Sequence, residues 1–332
     1  MASIKDVAEA AGVSTATVSR VLSEYPYIRP QVRERVLAAI AQLEYRPNQI
    51  ARNLRSQQSN TIGLVVSDIR NPFFTAVSRA VEDTAYLHGF SVLLCNSDED
   101  PTKEALYLRL LRDERVAGII LSPTYQTILH INSLNLELPT VLIDRAHKNS
   151  DLDAVLLDNV AAAYHLTKHL LDQGFQRIGA VFGGGTTTGI DRQLGSEEAL
   201  RERGLVSSAE YIKDVQPRVD AGRTATLELL MVAQPPDAIL ASNSLLTAGA
   251  LKALRERKLA IPDDVALVGF DDTTWAELVQ PSITIMAQPT DEIGRTATEL
   301  LLQRVADPAR SARKVILQGE LRVRQSSIAR RL

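Results

Sequence analysis

Cysteine is almost absent from these 332 residues: Cys95, inside the apolar run FSVLLC, stands alone. An intrachain disulfide is therefore excluded, and the thiol reads as a core residue of a protein from a reducing compartment. Long apolar runs are missing too, since none approaches the ~20 residues of a membrane span. Nothing before Ile4 resembles a secretory leader, so a cytoplasmic chain with no membrane partner is expected. Charge of one sign is not in excess, because 37 basic and 40 acidic residues give a formal net charge of −3. That excludes a generic polybasic binder of nucleic acid. The balance is uneven, however: residues 1–58 carry eight basic and five acidic side chains, so the N-terminal part alone is basic.

Catalytic signatures are also lacking. Gly183-Gly-Gly-Thr-Thr-Thr-Gly has no Lys-Ser/Thr ending of a phosphate loop and fails G-x-G-x-x-G at Thr188, so it reads as a flexible strand-end turn. His165 and His169 stand four apart on a helix, but Leu166 replaces the glutamate of a zinc protease and no third ligand is evident. They read as solvated or packing histidines. No G-x-S-x-G elbow occurs, Cys95 has no base partner in its strand, and Asp98-Glu99-Asp100 reads as a solvated loop. Neither a metal nor a cofactor is implied.

What the chain does contain is organised around Ile4–Leu22, IKDVAEAAGVSTATVSRVL. Ile4, Val7, Ala8 and Ala11 recur at helical spacing, Gly12 suits the positive φ of a tight turn, and Ser14 caps the next helix. From Thr15 onward, Val18, Val21 and Leu22 form one face. Ala16, Ser19 and Arg20 point away from it, with Thr15 and Thr17 on the flanks. Small outward residues admit a helix to the major groove, and an arginine offers a fork to guanine or a charge to phosphate. On spacing alone, an ordinary three-helix unit fits as well as a helix-turn-helix. Val32, Val36, Ile40 and Leu43 mark a third helix starting near Pro30. After Pro47, Asn48 caps a helix of barely two turns, followed by the polar linker Gln57–Asn60.

The pattern I-K-D-V-A-x-x-A-G-V-S-x-x-T-V-S-R-V-L resembles the N-terminal motif of the lactose-repressor (LacI/GalR) family of bacterial transcription regulators. The resemblance implies a dimer on near-palindromic double-stranded operator DNA, with Thr15, Ala16 and Arg20 nearest the bases. Ser14, Thr17, Ser19 and Asn48 would then meet the phosphate backbone. It also gives the short helix a role: paired with its dimer mate, it enters the minor groove and inserts Leu54 at a base step. Packing of Leu54 against the next domain is the alternative.

From Thr61 the texture changes to apolar runs alternating with amphipathic stretches, and the alternation occurs twice. The runs are TIGLVV, FSVLLC, GIIL and TVLID, then AVLL, RIGAVF, AILA and VALVGF. Helices are expected at Phe73–Gly89, Lys103–Glu114, Ile128–Leu136, Ala161–Gly174, Asp191–Gly204, Ala221–Ala233, Leu245–Arg257 and Asp291–Ala306. This is the βα pattern of parallel, doubly wound sheets. The body resembles the effector-binding core of the same family, which is similar to periplasmic sugar-binding proteins. The expected fold is thus an all-α helix-turn-helix DNA-binding domain plus an α/β two-lobed periplasmic-binding-protein-like core.

The expected divisions are 1–46 for DNA binding, 47–60 for hinge helix and linker, and 61–332 for effector binding and dimerisation. Lobe 1 lies near 61–158 and 289–317, lobe 2 near 159–287 and 320–332. No heptad-patterned tail follows, which favours a homodimer. Ligands of such sheets sit beyond the carboxyl ends of strands. The resemblance marks Phe73, Phe74, Asp144, Arg192, Asn243 and Asp271 there as effector contacts, and Arg145 and Trp275 stand beside them. Arg192 and Asp271 read alternatively as an interlobe ion pair and a loop cap, and Trp275 as a core residue. Ser244 departs from the acidic residue common in relatives. Arg70, with Arg145 and Arg192, suggests a cationic cleft for a sugar acid such as a gluconate or ketogluconate, unless Arg70 and Arg145 are merely salt-bridged. The function expected is a regulator, in the first place a repressor, controlled by a sugar or sugar-acid effector. The alternative is a cytoplasmic sugar-binding module or sugar-processing enzyme with a helical appendage.

Overall fold

Polar caps and one glycine fix the start of the chain. Ser3 and Asp6 bond reciprocally to each other's backbone N–H and open helix α1, Ile4–Ala10. Gly12 takes a φ of 64°, and helix α2 follows at Thr15–Leu22. Pro30 opens helix α3, Pro30–Gln42, where its missing N–H costs nothing. The computed structural model describes residues 2–22, 25–45, 59–133, 136–206 and 208–328. Asn48, Leu54 and most of the expected hinge segment lie outside the described residues. Contacts divide the chain into two units, Met1–Ser59 and Asn60–Leu332. In the first, Val7, Ala8, Ala11, Val18, Val21, Val36 and Ala39 make one small core.

The second unit contains two six-stranded sheets. Strands β1 (Thr61–Val66), β2 (Ser91–Asn96), β3 (Ile119–Leu121), β4 (Thr140–Ile143), β5 (Asp153–Leu157) and β11 (Lys314–Leu317) form one, in the order β11-β5-β4-β3-β1-β2, all parallel. Strands β6 (Ile178–Gly183), β7 (Ile212–Val215), β8 (Ala238–Ala241), β9 (Ala266–Phe270), β10 (Thr284–Ala287) and β12 (Glu320–Arg322) form the other. Its order, β12-β10-β9-β8-β6-β7, repeats the first, with only β12 antiparallel. Nearly every residue of β1, β3, β4, β6, β8 and β9 is buried, as expected of parallel strands covered on both faces. The chain passes between the sheets after β5, after β10 and after β11. The late segments thus cross back, with the helix Thr290–Ala306 on the first sheet and β12 on the second.

Local departures from the sequence reading have physical causes. A helix expected at Ile128–Leu136 runs instead over Tyr125–Leu129, because Thr124 caps it early, and ends in a 3₁₀ turn at Ile131–Ser133. The helix expected from Asp191 starts at Thr187, since the Thr186 hydroxyl accepts the Gly189 N–H at 2.9 Å. Among the described residues, no helix is long and apolar enough to cross a membrane.

Candidate functional site

Two surfaces carry the predicted residues, one in each unit. On α2, Val18 and Val21 are buried, Ser14, Thr15, Ala16 and Arg20 are exposed, and Thr17 and Ser19 are half-buried. The Ser14 hydroxyl accepts the Thr17 N–H at 3.2 Å and lies 2.9 Å from Thr17 Oγ1. Capping thus occupies part of their hydrogen-bonding capacity. Beyond α2, the Tyr25 and Tyr27 rings meet edge to face at 5.8 Å, and Arg33 Nη2 donates to Tyr25 O at 3.3 Å.

The second surface is a cavity of about 340 Å³ between the two sheets. Nine of the twelve strands point their carboxyl ends at it. Ser67 to Phe74 follow β1, Asp98 and Glu99 follow β2, Tyr125 and Gln126 follow β3, and Asp144 and Arg145 follow β4. From the other lobe come Gly183–Arg192 after β6, Gln216–Arg218 after β7, Ser242 and Asn243 after β8, Asp271 after β9 and Gln288 after β10. Asp144 and Asp271 occupy equivalent positions, immediately after the matching strands β4 and β9. Their φ values are 66° and 69°, a left-handed backbone that aspartate tolerates better than most side chains.

Lobe 2 buries two charged side chains without an ion-pair partner among the described residues, and a third, Arg218, lines the cavity exposed and likewise outside any ion pair there. Arg192 is buried, donates Nε to Asn159 Oδ1 at 2.8 Å and Nη1 to Ser242 O, and lies over the Phe270 ring, 4.1 Å from its centroid. Burial draws its pKa down from the usual guanidinium value. Asp271, also buried, accepts Gln288 Nε2 at 2.6 Å and the Ser244 N–H at 3.1 Å. Burial pushes its carboxyl up despite those bonds and the nearby Arg192 charge. Ser244 also has a part: its hydroxyl donates across the cleft to Asn71 Oδ1 at 3.3 Å. Asn71 caps the helix Pro72–Leu87 by accepting the Phe73 N–H, and Asn243 caps the helix Ser244–Glu256.

Lobe 1 pairs its charges with one another. Arg70 forks onto Asp68 at 2.9 Å, and Asp98 lies 2.5 Å from Lys103 Nζ. Buried Arg145 lies 3.1 Å from Asp144 and 2.8 Å from Glu99. Its desolvation is outweighed by those two carboxylates, and its pKa is raised. The cationic excess expected of the cleft is therefore not found. Five carboxylates and four guanidinium groups line it, and Arg70 and Arg145 are already matched.

Phe73, Phe74, Asp144, Arg145, Arg192, Asn243 and Asp271 thus come together around one cavity, with the two phenylalanine rings edge to face at 5.0 Å. Trp275 does not join them: it packs half-buried against the apolar cluster around Ala276 and Ile283. Asp98 and Glu99, expected in a solvated loop, face the cleft, because φ values of 54° and 58° turn the chain back over the β2 end. Gln216–Arg218 escaped the sequence reading because their strand, IKDV, is polar. Tyr125 and Gln126 did so because Thr124 caps their helix earlier than its apolar spacing suggests, and Gln288 because it is a lone polar residue between β10 and Pro289 with no loop to mark it. His169 Nε2 lies 2.7 Å from Ser327 Oγ, a packing contact away from the cleft.

The family described as "Bacterial regulatory proteins, lacI family" matches residues 3–48, and that described as "Periplasmic binding protein-like domain" matches residues 167–327. The chain is 37% identical to the ribose operon repressor of Halalkalibacterium halodurans over 331 residues, 98% of this chain and 97% of the relative. Among solved structures it is similar to the lac repressor dimer bound to operator and the anti-inducer ONPF. The TM-score there is 0.90 at 25% identity, covering 99% of each chain. It is also similar to the transcriptional regulator CelR in complex with cellobiose, with a TM-score of 0.74 at 28% identity, covering 98% of this chain and 100% of that one.

Proposed function

Because the chain belongs to the lacI family of bacterial regulatory proteins, we propose a division of labour among its residues: the α2 face reads operator DNA, and the cleft holds the effector that controls it. The protein is a DNA-binding transcriptional repressor under small-molecule control, not an enzyme. Thr15, Ala16 and Arg20 face the bases, with Ala16 limited to an apolar touch such as a thymine methyl. Ser14, Thr17 and Ser19 hold the phosphate backbone. Asn48 and Leu54 take the backbone and minor-groove roles of the hinge segment. The protein acts in the cytoplasm as a homodimer. We place part of the dimer contact on the outer edge of β2, where Leu93 and Leu94 are exposed beside Tyr86 and Leu87.

The effector is a neutral sugar. The observation that carries this is the charge balance of the cleft: five carboxylates face four guanidinium groups, Arg70 and Arg145 are matched by carboxylates, and buried Arg192 and Asp271, with exposed Arg218, lie outside any ion pair among the described residues. Sugar hydroxyls both donate and accept, and Phe73 and Phe74 offer an apolar wall. A cavity of about 340 Å³ suits a compact molecule of saccharide size. Two relatives bear on this choice: one is named for the ribose operon, and another is solved with cellobiose. Thermal shift with D-ribose, cellobiose and D-gluconate tests it. A shift with a neutral sugar and none with gluconate is expected; a shift with gluconate alone overturns it. For the DNA face, Arg20→Ala should weaken operator binding about tenfold while leaving the sugar shift unchanged, and equal affinity contradicts the assignment.

A further inference from the structure

We propose that Asn159 is a positioning residue that ties the cleft to the crossovers on which the lobes turn, so that it transmits effector binding rather than touching the effector. This rests on the effector reading above. Asn159 is buried and does not line the cavity. Its Oδ1 accepts Arg192 Nε at 2.8 Å, and its Nδ2 donates to Leu157 O at 3.2 Å. Leu157 ends β5, the strand from which the chain first leaves lobe 1, and Asn159 opens the helix Asn159–Asp172 of lobe 2. Between them, the Asp158 N–H donates to Leu317 O at 2.9 Å, and Asp158 Oδ2 accepts Gln318 Nε2 at 3.3 Å. Leu317 ends β11, where the chain leaves lobe 1 for the last time.

Hydrogen bonds joined through the Leu157–Asp158 peptide therefore run from a cleft arginine, by way of a single side-chain amide, to two of the three crossovers. An amide suits this position because it accepts on one side and donates on the other. An effector oxygen that draws Arg192 forward must either stretch the Asn159 bond or carry Asn159 with it. With both groups buried, leaving either unmatched is costly, so the crossover follows. Lobe rotation is absorbed at a few element-terminal residues of this kind. Gln288 plays the matching part for Asp271 at the third crossover, but it lines the cleft and so is not a clean test.

Asn159→Asp separates the two bonds: it keeps an acceptor for Arg192 and turns the donor towards Leu157 O into a second acceptor. Gln318→Ala cuts the next link at an exposed side chain. Operator affinity of the full chain is measured by anisotropy with and without D-ribose as the probe, with cellobiose and D-gluconate run beside it. Sugar binding is followed by thermal shift. In both variants the change that saturating sugar causes in operator affinity should fall by about tenfold; Gln318→Ala should bind sugar within about threefold of wild type, whereas Asn159→Asp, which sets a carboxylate beside Arg192, should bind it more weakly. Asn159→Ala, which frees Arg192 as well, should lose about tenfold in sugar affinity. A variant held together but structurally weakened would lower the melting temperature without separating binding from response. Unchanged response in both Asn159→Asp and Gln318→Ala overturns the proposal. A wild type unresponsive to all three probes overturns the effector reading and this inference together. A responsive wild type with equally responsive variants overturns this inference alone.

Discussion

The two lobes of the cleft share one strand order, and each places an aspartate with left-handed backbone at the same point, yet they treat charge in opposite ways. Lobe 1 neutralises itself: Arg70 on Asp68, Lys103 on Asp98, Arg145 on Asp144 and Glu99. Lobe 2 buries Arg192 and Asp271 near each other but outside any ion pair among the described residues, and holds them with Asn159, Ser242 O, Gln288 and the Ser244 N–H. Neutral partners orient a buried charge without saturating it, and a ligand with hydroxyl groups completes the solvation that burial removed. The difference teaches that the repeated scaffold supplies position only. Whether a strand-end charge is a structural tie or a binding group depends on what stands beside it.

The sharpest way to break this comparison is to remove one arginine from each lobe. Arg192→Met should reduce sugar affinity about a hundredfold, because a charge-assisted bond is lost and buried Asp271 is left without its compensating positive charge. Arg70→Ala, at an exposed pair, should change it by less than about threefold. Equal losses would end the distinction between lobes. Next in size, Asp271→Asn should cost about thirtyfold in sugar affinity, while Asp144→Asn should cost about fivefold, since Asp144 already serves Arg145. Isothermal titration of the four variants checks both pairs.

A smaller effect concerns support behind lobe 1. Glu104 is buried, and its Oε2 accepts the Thr124 N–H at 2.6 Å, holding the turn that presents Tyr125 and Gln126. Burial raises its pKa above 4.5, more than the Thr127 and Thr124 bonds lower it. Protonation therefore favours the folded state: this contribution is fully present below the ordinary carboxyl value and is lost as pH rises through the folded one. Glutamine imitates the protonated form. Glu104→Gln should thus raise the melting temperature by about 2 °C at pH 7, with the gain vanishing near pH 4. A gain that grows as pH falls would contradict the assignment.

Much of this was readable in the residues. Gly12, Ser14 and the Val18–Val21 face define two helices and a tight turn locally, because turn conformation, capping and helical period act within a few residues; that the pair is a helix-turn-helix came from the family resemblance. The buried parallel strands were legible as apolar runs, and the loops that hold Phe73, Arg192 and Asp271 follow from asking what stands beyond each strand end, while the family resemblance singled out those residues within them. Edge strand β7 was not legible: IKDV pairs on one side only, so it keeps Lys213 and Asp214 and shows no apolar run. Nor was the pairing of Arg70 and Arg145. A sequence gives the number of charges in a cleft, but which carboxylate reaches which guanidinium is set by loop conformation, as at Asp98 and Glu99. The placement of Trp275 turned on the same point: the short helix Thr274–Leu278 rotates it against the lobe 2 apolar cluster.

The most direct test is anisotropy of wild-type protein on labelled DNA from its own upstream region, at fixed salt, with and without D-ribose, cellobiose and D-gluconate. Selective binding that one neutral sugar changes about tenfold or more is the predicted result. Selective binding that no sugar alters, or that gluconate alone alters, would contradict the account of the cleft. Absence of selective binding on this and other genomic fragments would contradict the reading of α2.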